Sequence, residues 1–281
     1  MTTLTRSRFL RRIILSFVSL FCVVAFAACN SSTPTTTGAS PAAGGSPATG
    51  TTLKVVSDVS FAPFEFKEGD KIVGFDIDLM NAIGEAAGFT PDIQNLNFDG
   101  IIPALQSGTV DAAISGMTIT PERAGTVSFS RPYFKAGLAI AVRENNTDIT
   151  SLDSLKGKNI AVQIGTTGAK KAAEIQGAKI RTFDTSILAL QELANGNVDA
   201  VINDAPNTLY ALKSGGVSGI KVVGQLLTEE YYGIALPKNS PNVEKINQGL
   251  TTIIQNGKYA EIYKKWFGGE PPQLPETAPG I

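Results

Sequence analysis

The sequence predicts an α/β chain of two lobes facing each other across a ligand cleft, each lobe a central β-sheet flanked by helices. Three observations carry that prediction. Leu105 to Gly116 is echoed by Leu193 to Asp204 at a constant offset of 88 residues, with Leu, Gly, Val, Asp, Ala and Ile recurring in step. Strand-like apolar runs alternate with amphipathic helical ones over about 230 residues, a length for one or two domains. Each half also opens with a strand that runs straight into a polar loop.

Taken in order, Arg6, Arg8, Arg11 and Arg12 form a basic head, and Ile13 to Ala28 is an apolar run without a charge. Residues 1–28 therefore read as a signal peptide, its apolar run shorter than the roughly 20 residues that span a bilayer. Phe26-Ala27-Ala28-Cys29 resembles the lipobox of bacterial lipoproteins, which implies lipidation of Cys29 after cleavage. Asn30 to Thr52 is almost entirely Ser, Thr, Pro, Gly and Ala, and reads as a flexible tether with nothing to bury.

Lys54 to Ser57 is the first expected strand, opening into the loop Asp58 to Phe61. A helix between Asp76 and Gly88 sets Leu79, Met80, Ile83, Ala86 and Ala87 on its apolar side, with Asp76 as its cap. Ile101, Ile102 and Leu105 mark a second helix, and Leu188, Leu190 and Leu193 its echo. They stop near Gly108 and Gly196, where a left-handed cap suits Gly. Val-Asp-Ala-x-Ile follows each time, an apolar strand suited to a sheet covered on both faces. Ser151 to Lys156 reads as a helical turn and Asn159 to Gln163 as the second lobe's first strand, leading to Gly165-Thr166-Thr167-Gly168. Residues 271–281 form a Pro-rich tail.

Composition excludes much enzymology. The chain has no His, so neither a Ser-His-Asp triad nor a His-ligated zinc is available. Cys22 and Cys29 are its two cysteines, one in the signal and one at the lipidation site, which leaves no disulfide or Cys metal site. No cofactor or metal is expected. Without the four Arg of the signal, the 24 basic residues become 20 against 25 acidic ones, a net of -5. An acidic chain without a basic stripe is a poor binder of nucleic acid.

Three phrases describe a cleft for an α-amino acid: Asp58 to Phe66, Ser115 to Arg123, and Asn203-Asp204. A zwitterion needs an Arg to grip its carboxylate, acceptors for its ammonium and apolar walls for its stem. Thr120-Pro121 reads as a cap and first helical residue, which would hold Arg123 beside helix N-terminal amides, with Thr118 adding its hydroxyl and N–H. The echo places Ser115-Gly116 and Asn203-Asp204 at equivalent strand ends, where open α/β sheets bind ligands. Asp204 is suited to the ammonium, though Pro206 also permits a helix cap there. Asn203 faces either the core or the ligand. Thr166 and Thr167 would offer N–H groups or hydroxyls to the ligand carboxylate. Phe64, Phe66 and Phe75 read as core, and Tyr263 and Trp266 as packing.

Phe64-Glu65-Phe66, Gly74 to Leu79, Ile119 to Arg123, Val198-Asp199-Ala200 and Tyr259 to Phe267, in that order and spacing, resemble the periplasmic solute-binding proteins of polar amino-acid ABC importers. The likeness runs from about Leu53 to Gly269. It implies the periplasmic-binding-protein fold with two hinge crossings, near Tyr133 to Gly137 and Thr228 to Tyr232. Lobe 1 would be residues 53–134 plus 233–270, and lobe 2 residues 135–232, closing by a hinge motion. It implies that Phe61 and Phe98 sandwich the ligand side chain and that Asp58 meets its distal end. In glutamine binders the position matching Gln163 can carry a Lys that neutralises this carboxylate. A Gln there, as in arginine-binding relatives, leaves Asp58 to a cationic ligand, arginine or lysine first and glutamine next.

The resemblance implies a monomeric, exported lipoprotein, held on the membrane through Cys29, that delivers an L-amino acid to an ABC permease. Two other functions compete. A dehydratase-like enzyme on this fold would need a general acid, and Glu65 and Asp58 are the first loop's acids, neither with an evident partner of separated pKa. A ligand-sensing receptor domain would need a membrane-spanning or signalling segment, which the short tail after Gly268 is not expected to supply.

Overall fold

A computed structural model describes residues 50–281. The signal, Cys29 and most of the expected tether lie outside the described residues. The first strand begins at Thr51, so Thr51 and Thr52 belong to the fold rather than to the tether; they pair with Phe89 and Thr90.

Two five-stranded sheets organise the chain. The first runs, edge to edge, Phe89–Asn95, Thr51–Ser57, Ala112–Ala113, Ala235–Pro237 and Val127–Phe129. Its first three strands are parallel, and Ala235–Pro237 is antiparallel to both neighbours. The second runs Lys179–Phe183, Asn159–Gln163, Ala200–Asp204, Leu138–Arg143 and Ile220–Val223, again parallel in its first three strands and antiparallel across Leu138–Arg143. The α/β architecture of two helix-flanked sheets is thus the one expected.

The apolar strand runs follow from burial on both faces. Val55 packs on the helices Phe75–Ala87, Asn242–Gln255 and Lys258–Phe267, while Val56 faces Ile101 and Leu105. In the second sheet Ile202 and Ile140 enter one core, and Val201 and Ala141 the other. Gly108 and Gly196 both take positive φ, +68° and +80°, beyond the ends of Phe98–Gln106 and Ser186–Ala194.

The chain passes from the first sheet to the second at Phe134–Ala136 and returns at Glu230–Tyr232, and these two segments pair antiparallel. Tyr133, Phe134 and Tyr232 are buried there against Phe64, Phe75 and Phe267, with Phe134 and Tyr232 stacked at 5.6 Å. The Pro-rich tail lies on the fold: Ala278 is buried near Ile119 and Glu229, and Glu276 meets Arg131 at 2.8 Å.

Four expectations are corrected. Asp76 does not cap its helix, which starts at Phe75 after Gly74; it is buried in the first turn. Ala86 is exposed, and Ala82 takes its place in the core. Leu188 is 43% exposed, leaving Leu190 and Leu193 to pack. Phe66 is half-buried between Trp266 and Tyr210 rather than in the core.

Candidate functional site

A cavity with about 310 Å³ of empty space lies between the sheets. Eleven of the twelve expected site residues line it: Asp58, Phe61, Phe98, Ser115, Gly116, Thr118, Arg123, Gln163, Thr166, Thr167 and Asp204. Asn203 does not. Its amide donates to Asn207 Oδ1 at 2.8 Å and Thr208 Oγ1 at 3.0 Å, and so turns into the following helix.

Arg123 is held from its own chain neighbours outward. Thr120 caps the turn Pro121–Thr126 by accepting from the Arg123 N–H at 3.2 Å. One guanidinium nitrogen donates to the Thr118 carbonyl at 2.7 Å, and the other crosses to the Gly165 carbonyl at 3.0 Å. The Phe98 ring lies 5.3 Å from the guanidinium carbon, a cation–π distance. Burial lowers the pKa of this group, and the charges of Glu230 and then Asp204 act against that.

Asp204 ends the strand Ala200–Asp204, buried, and makes no cap bond to the helix it precedes. Its Oδ1 has no hydrogen-bond partner among the described residues. Burial first, then the charge of Glu230, push its pKa up to about 8, while Tyr232 and Arg123 pull it down. An ammonium placed there would supply both the missing donor and the missing charge.

Asp58 also lines the cavity. It accepts from Ser60 Oγ and from Gln163 Nε2, each at 2.7 Å, and its N–H donates to Ser115 Oγ at 2.9 Å. Gln163 thus reaches from the second sheet's strand end to a carboxylate of the first. Burial raises Asp58, against those two side-chain bonds. The amide satisfies the oxygen without supplying a charge.

Thr166 caps the helix Thr167–Ala173 through the Ala169 N–H and donates to the Gln163 carbonyl, so its hydroxyl is engaged. The helix's first amides have no carbonyl of their own to meet and lie beside Arg123's carbonyl partner, Gly165. Thr118 and Thr167 both donate to Glu230 Oε2, at 2.6 and 3.0 Å.

Glu230, Glu65 and Asp76 are the three buried acids outside the expected set. Glu230 lies in the return crossing, between segments whose sequence carries no periodic signal. Glu65 lines the cavity and accepts from Ser115 Oγ at 3.1 Å. The buried Asp76 carboxyl is the charge that acts most on it. Burial, then the charge of Asp76, raise Glu65 well above the usual glutamate range, and burial takes Asp76 to about 6. The available cue was its place next to Phe64, a core aromatic.

The site therefore offers one buried guanidinium, the carboxyls of Asp58, Glu65 and Asp204, and aromatic walls. The profile of the bacterial extracellular solute-binding proteins, family 3, matches residues 53–269. The arginine-binding extracellular protein ArtP of Bacillus subtilis (strain 168) is 35% identical over 218 residues, covering 76% of this chain and 85% of that protein. The arginine-, lysine-, histidine-binding protein ArtJ of Geobacillus stearothermophilus superposes with a TM-score of 0.75, at 43% identity, covering 78% of this chain and 96% of that one. An ancestral arginine-binding protein bound to glutamine gives a TM-score of 0.74 and 47% identity, covering 78% and 98%.

Proposed function

The chain belongs to the bacterial extracellular solute-binding proteins of family 3, and from that premise we propose that it captures a polar L-amino acid for an ABC importer, arginine or lysine before glutamine. It binds its ligand without converting it. The lobes close on the amino acid about the paired crossings, and the closed form delivers it to a membrane permease. Export by the signal peptide and lipidation at Cys29 keep the protein at the outer face of the cytoplasmic membrane.

The observation that carries this reading is the charge layout of the cavity. Arg123 suits the α-carboxylate, with Thr118 and the amides opening the Thr167–Ala173 helix. Asp204, lacking a donor to Oδ1, suits the α-ammonium. Asp58, served by the amide of Gln163 and the hydroxyl of Ser60, suits a cationic side chain at the far end, between Phe61 and Phe98. A neutral amide side chain would meet Asp58 by hydrogen bonding alone, hence glutamine's second place. The likeness to arginine-binding relatives supports the same order.

The test is thermal unfolding of the purified full chain, freed of copurified ligand by unfolding and refolding, against the twenty amino acids. A ligand at 100 times its Kd adds about 2.7 kcal/mol, a shift of about 5–10 °C at this size. The expected result is a shift with arginine and lysine that Arg123→Ala abolishes while unfolding stays cooperative. A shift with glutamine alone would overturn the selectivity, and no shift with any amino acid would overturn the function.

A further inference from the structure

We infer that Glu230 is a positioning residue that registers closure of the cleft: its carboxylate holds the Thr118 hydroxyl at all times and takes the Thr167 hydroxyl only when the lobes are shut, which slows release of the ligand.

Glu230 does not line the cavity. Thr118 and Thr167 do, and both also line a separate groove together with Thr228, Glu230 and Tyr231. The two threonines therefore stand between cavity and groove, with Glu230 on the groove side. Both hydroxyls turn to it and donate to Oε2, at 2.6 and 3.0 Å. Oε1 accepts from Thr228 Oγ1 at 3.1 Å, and that hydroxyl in turn accepts the Leu138 N–H at 2.9 Å. Each threonine hydroxyl has one hydrogen, so neither Thr118 nor Thr167 has one left for a ligand. Both oxygens of Glu230 are met, whereas Asp204 Oδ1 has no donor among the described residues. Glu230 thus acts through the threonines and not on the ligand itself.

The two bonds to Oε2 differ in what holds their donors. Thr118 is clamped to the strand that carries Glu230. It bridges Tyr232, with the Ile119 N–H on the Tyr231 carbonyl at 2.8 Å and the Gly233 N–H on the Met117 carbonyl at 3.0 Å. Those backbone bonds keep Thr118 and Glu230 side by side whatever the lobes do. Thr167 belongs to the other lobe: it opens the helix Thr167–Ala173, which packs on Asn159–Gln163 and Ala200–Asp204 of the second sheet. Among the described residues no backbone hydrogen bond joins residues 165–168 to the return crossing. Rotation of the second lobe about the crossings therefore carries Thr167 away from Oε2 and leaves Thr118 in place.

A hydroxyl on a carboxylate is a strong bond inside a protein, and leaving either group unpaired there is costly. Closure gains the Thr167 bond and opening breaks it, so its strength is felt in the release step. It adds to the direct bonds between the lobes, such as Arg123 to the Gly165 carbonyl at 3.0 Å. This role rests on the amino-acid-binding reading given above.

The experiment uses the purified full chain, with L-arginine, or the amino acid that stabilises the parent most, as probe. Stopped-flow release rates are measured beside thermal unfolding of the ligand-free protein. Thr167→Val should speed release roughly tenfold or more and leave the ligand-free midpoint where it is. Thr167→Ser, which keeps the hydroxyl, should recover most of that loss. Thr118→Val should instead lower the ligand-free midpoint, because its bond persists when the lobes part. A direct ligand contact by the Thr167 hydroxyl would also give fast release, and a double-mutant cycle separates the two. Glu230→Ala should release at least as fast as Thr167→Val, and adding Thr167→Val to it should change nothing further. Where Glu230→Ala does not fold, Glu230→Gln takes its place; its acceptor is neutral, so the effect of Thr167→Val should shrink. The proposal is overturned if the effects at the two positions multiply independently, if Thr167→Val releases at the parent rate, or if it loses ligand-free stability as Thr118→Val does. Failure of the binding reading has a separate signature, a parent protein that no amino acid stabilises.

Discussion

Gly116 and Asp204 stand 88 residues apart at corresponding strand ends, and they meet the cavity in opposite ways. Gly116 takes φ +51°, gives its N–H to Asp76, and lies so close to Phe61 that an added Cβ would sit 2.9 Å from the ring. Asp204 carries a carboxyl into the same cavity with an oxygen left unpaired. The neighbours divide likewise: Ser115 bonds towards the first lobe's acids, while Asn203 turns back into its own helix. The difference teaches that the repeat supplies the platform and the last two residues supply the chemistry. In the first lobe they shape a wall, and in the second they provide the charge.

The largest expected effect comes from erasing that charge. Asp204→Asn should weaken arginine binding by about 2–4 kcal/mol, roughly 30- to 1,000-fold, as expected when one partner of a buried charge pair is lost. Ser115→Ala, one position before the residue that corresponds to Asp204, removes neutral hydrogen bonds and should cost only about 1–2 kcal/mol. Titration calorimetry on the two variants compares the strand ends directly, and equal losses would contradict the division of labour. The same comparison has a pH signature. Asp204, at about 8, still holds its proton at neutral pH, so meeting an ammonium requires releasing it. Affinity should therefore rise as pH climbs towards 8, with proton release measurable in buffers of different ionisation heat. The sign for stability is opposite. A carboxyl whose folded pKa lies above its unfolded value leaves the fold less stable as pH rises between the two, here from about 4 to about 8.

Gly116→Ala tests the wall rather than the charge. A non-glycine residue at positive φ costs about 1–2 kcal/mol, and the new methyl must displace the Phe61 ring that lines the cavity. Lower thermal stability together with weaker binding is the expected outcome. A variant that loses stability but binds as before would remove Phe61 from the ligand's surroundings.

How much of this was legible in the sequence depended on whether a residue belonged to a repeat. The echo located both central strands and brought Ser115, Gly116 and Asp204 to one cavity, because strand ends follow from the strand pattern. Arg123 was legible because Thr120-Pro121 is a local helix start, and the observed cap forms within three residues. Glu230 was not, since it lies in a crossing strand of three residues and its carboxyl is met by distant partners, Thr118 and Thr167, with Thr228 alone nearby in sequence. Asp76 was misread as a cap for a related reason. An Asp at a helix start has a local use, and its actual partners, Gly116 and Tyr133, are 40 and 57 residues away. Asn203 shows the limit of the repeat itself: backbone equivalence with Ser115 does not decide which way a side chain turns when a helix with free acceptors follows.

The smallest effect is expected outside the cavity, where the lobes touch without the ligand. Glu122, on the turn that carries Arg123, pairs with Lys170 on the helix that Thr166 caps. The turn packs on the first sheet and the helix on the second, so the pair spans the cleft. Both side chains are largely solvated, and such pairs contribute little and weaken with salt. Other cross-lobe bonds, Gln163 to Asp58 and Asn207 to the Ala62 carbonyl at 2.7 Å, are shielded from solvent and should carry most of the closure. Lys170→Ala is therefore expected to speed ligand release slightly at low salt and not at all at high salt, while Asn207→Ala speeds it at both. Stopped-flow release rates at two ionic strengths separate the cases. A large, salt-sensitive effect of Lys170→Ala would mean that closure is held at the rim, and that the strand ends orient the ligand without locking it in.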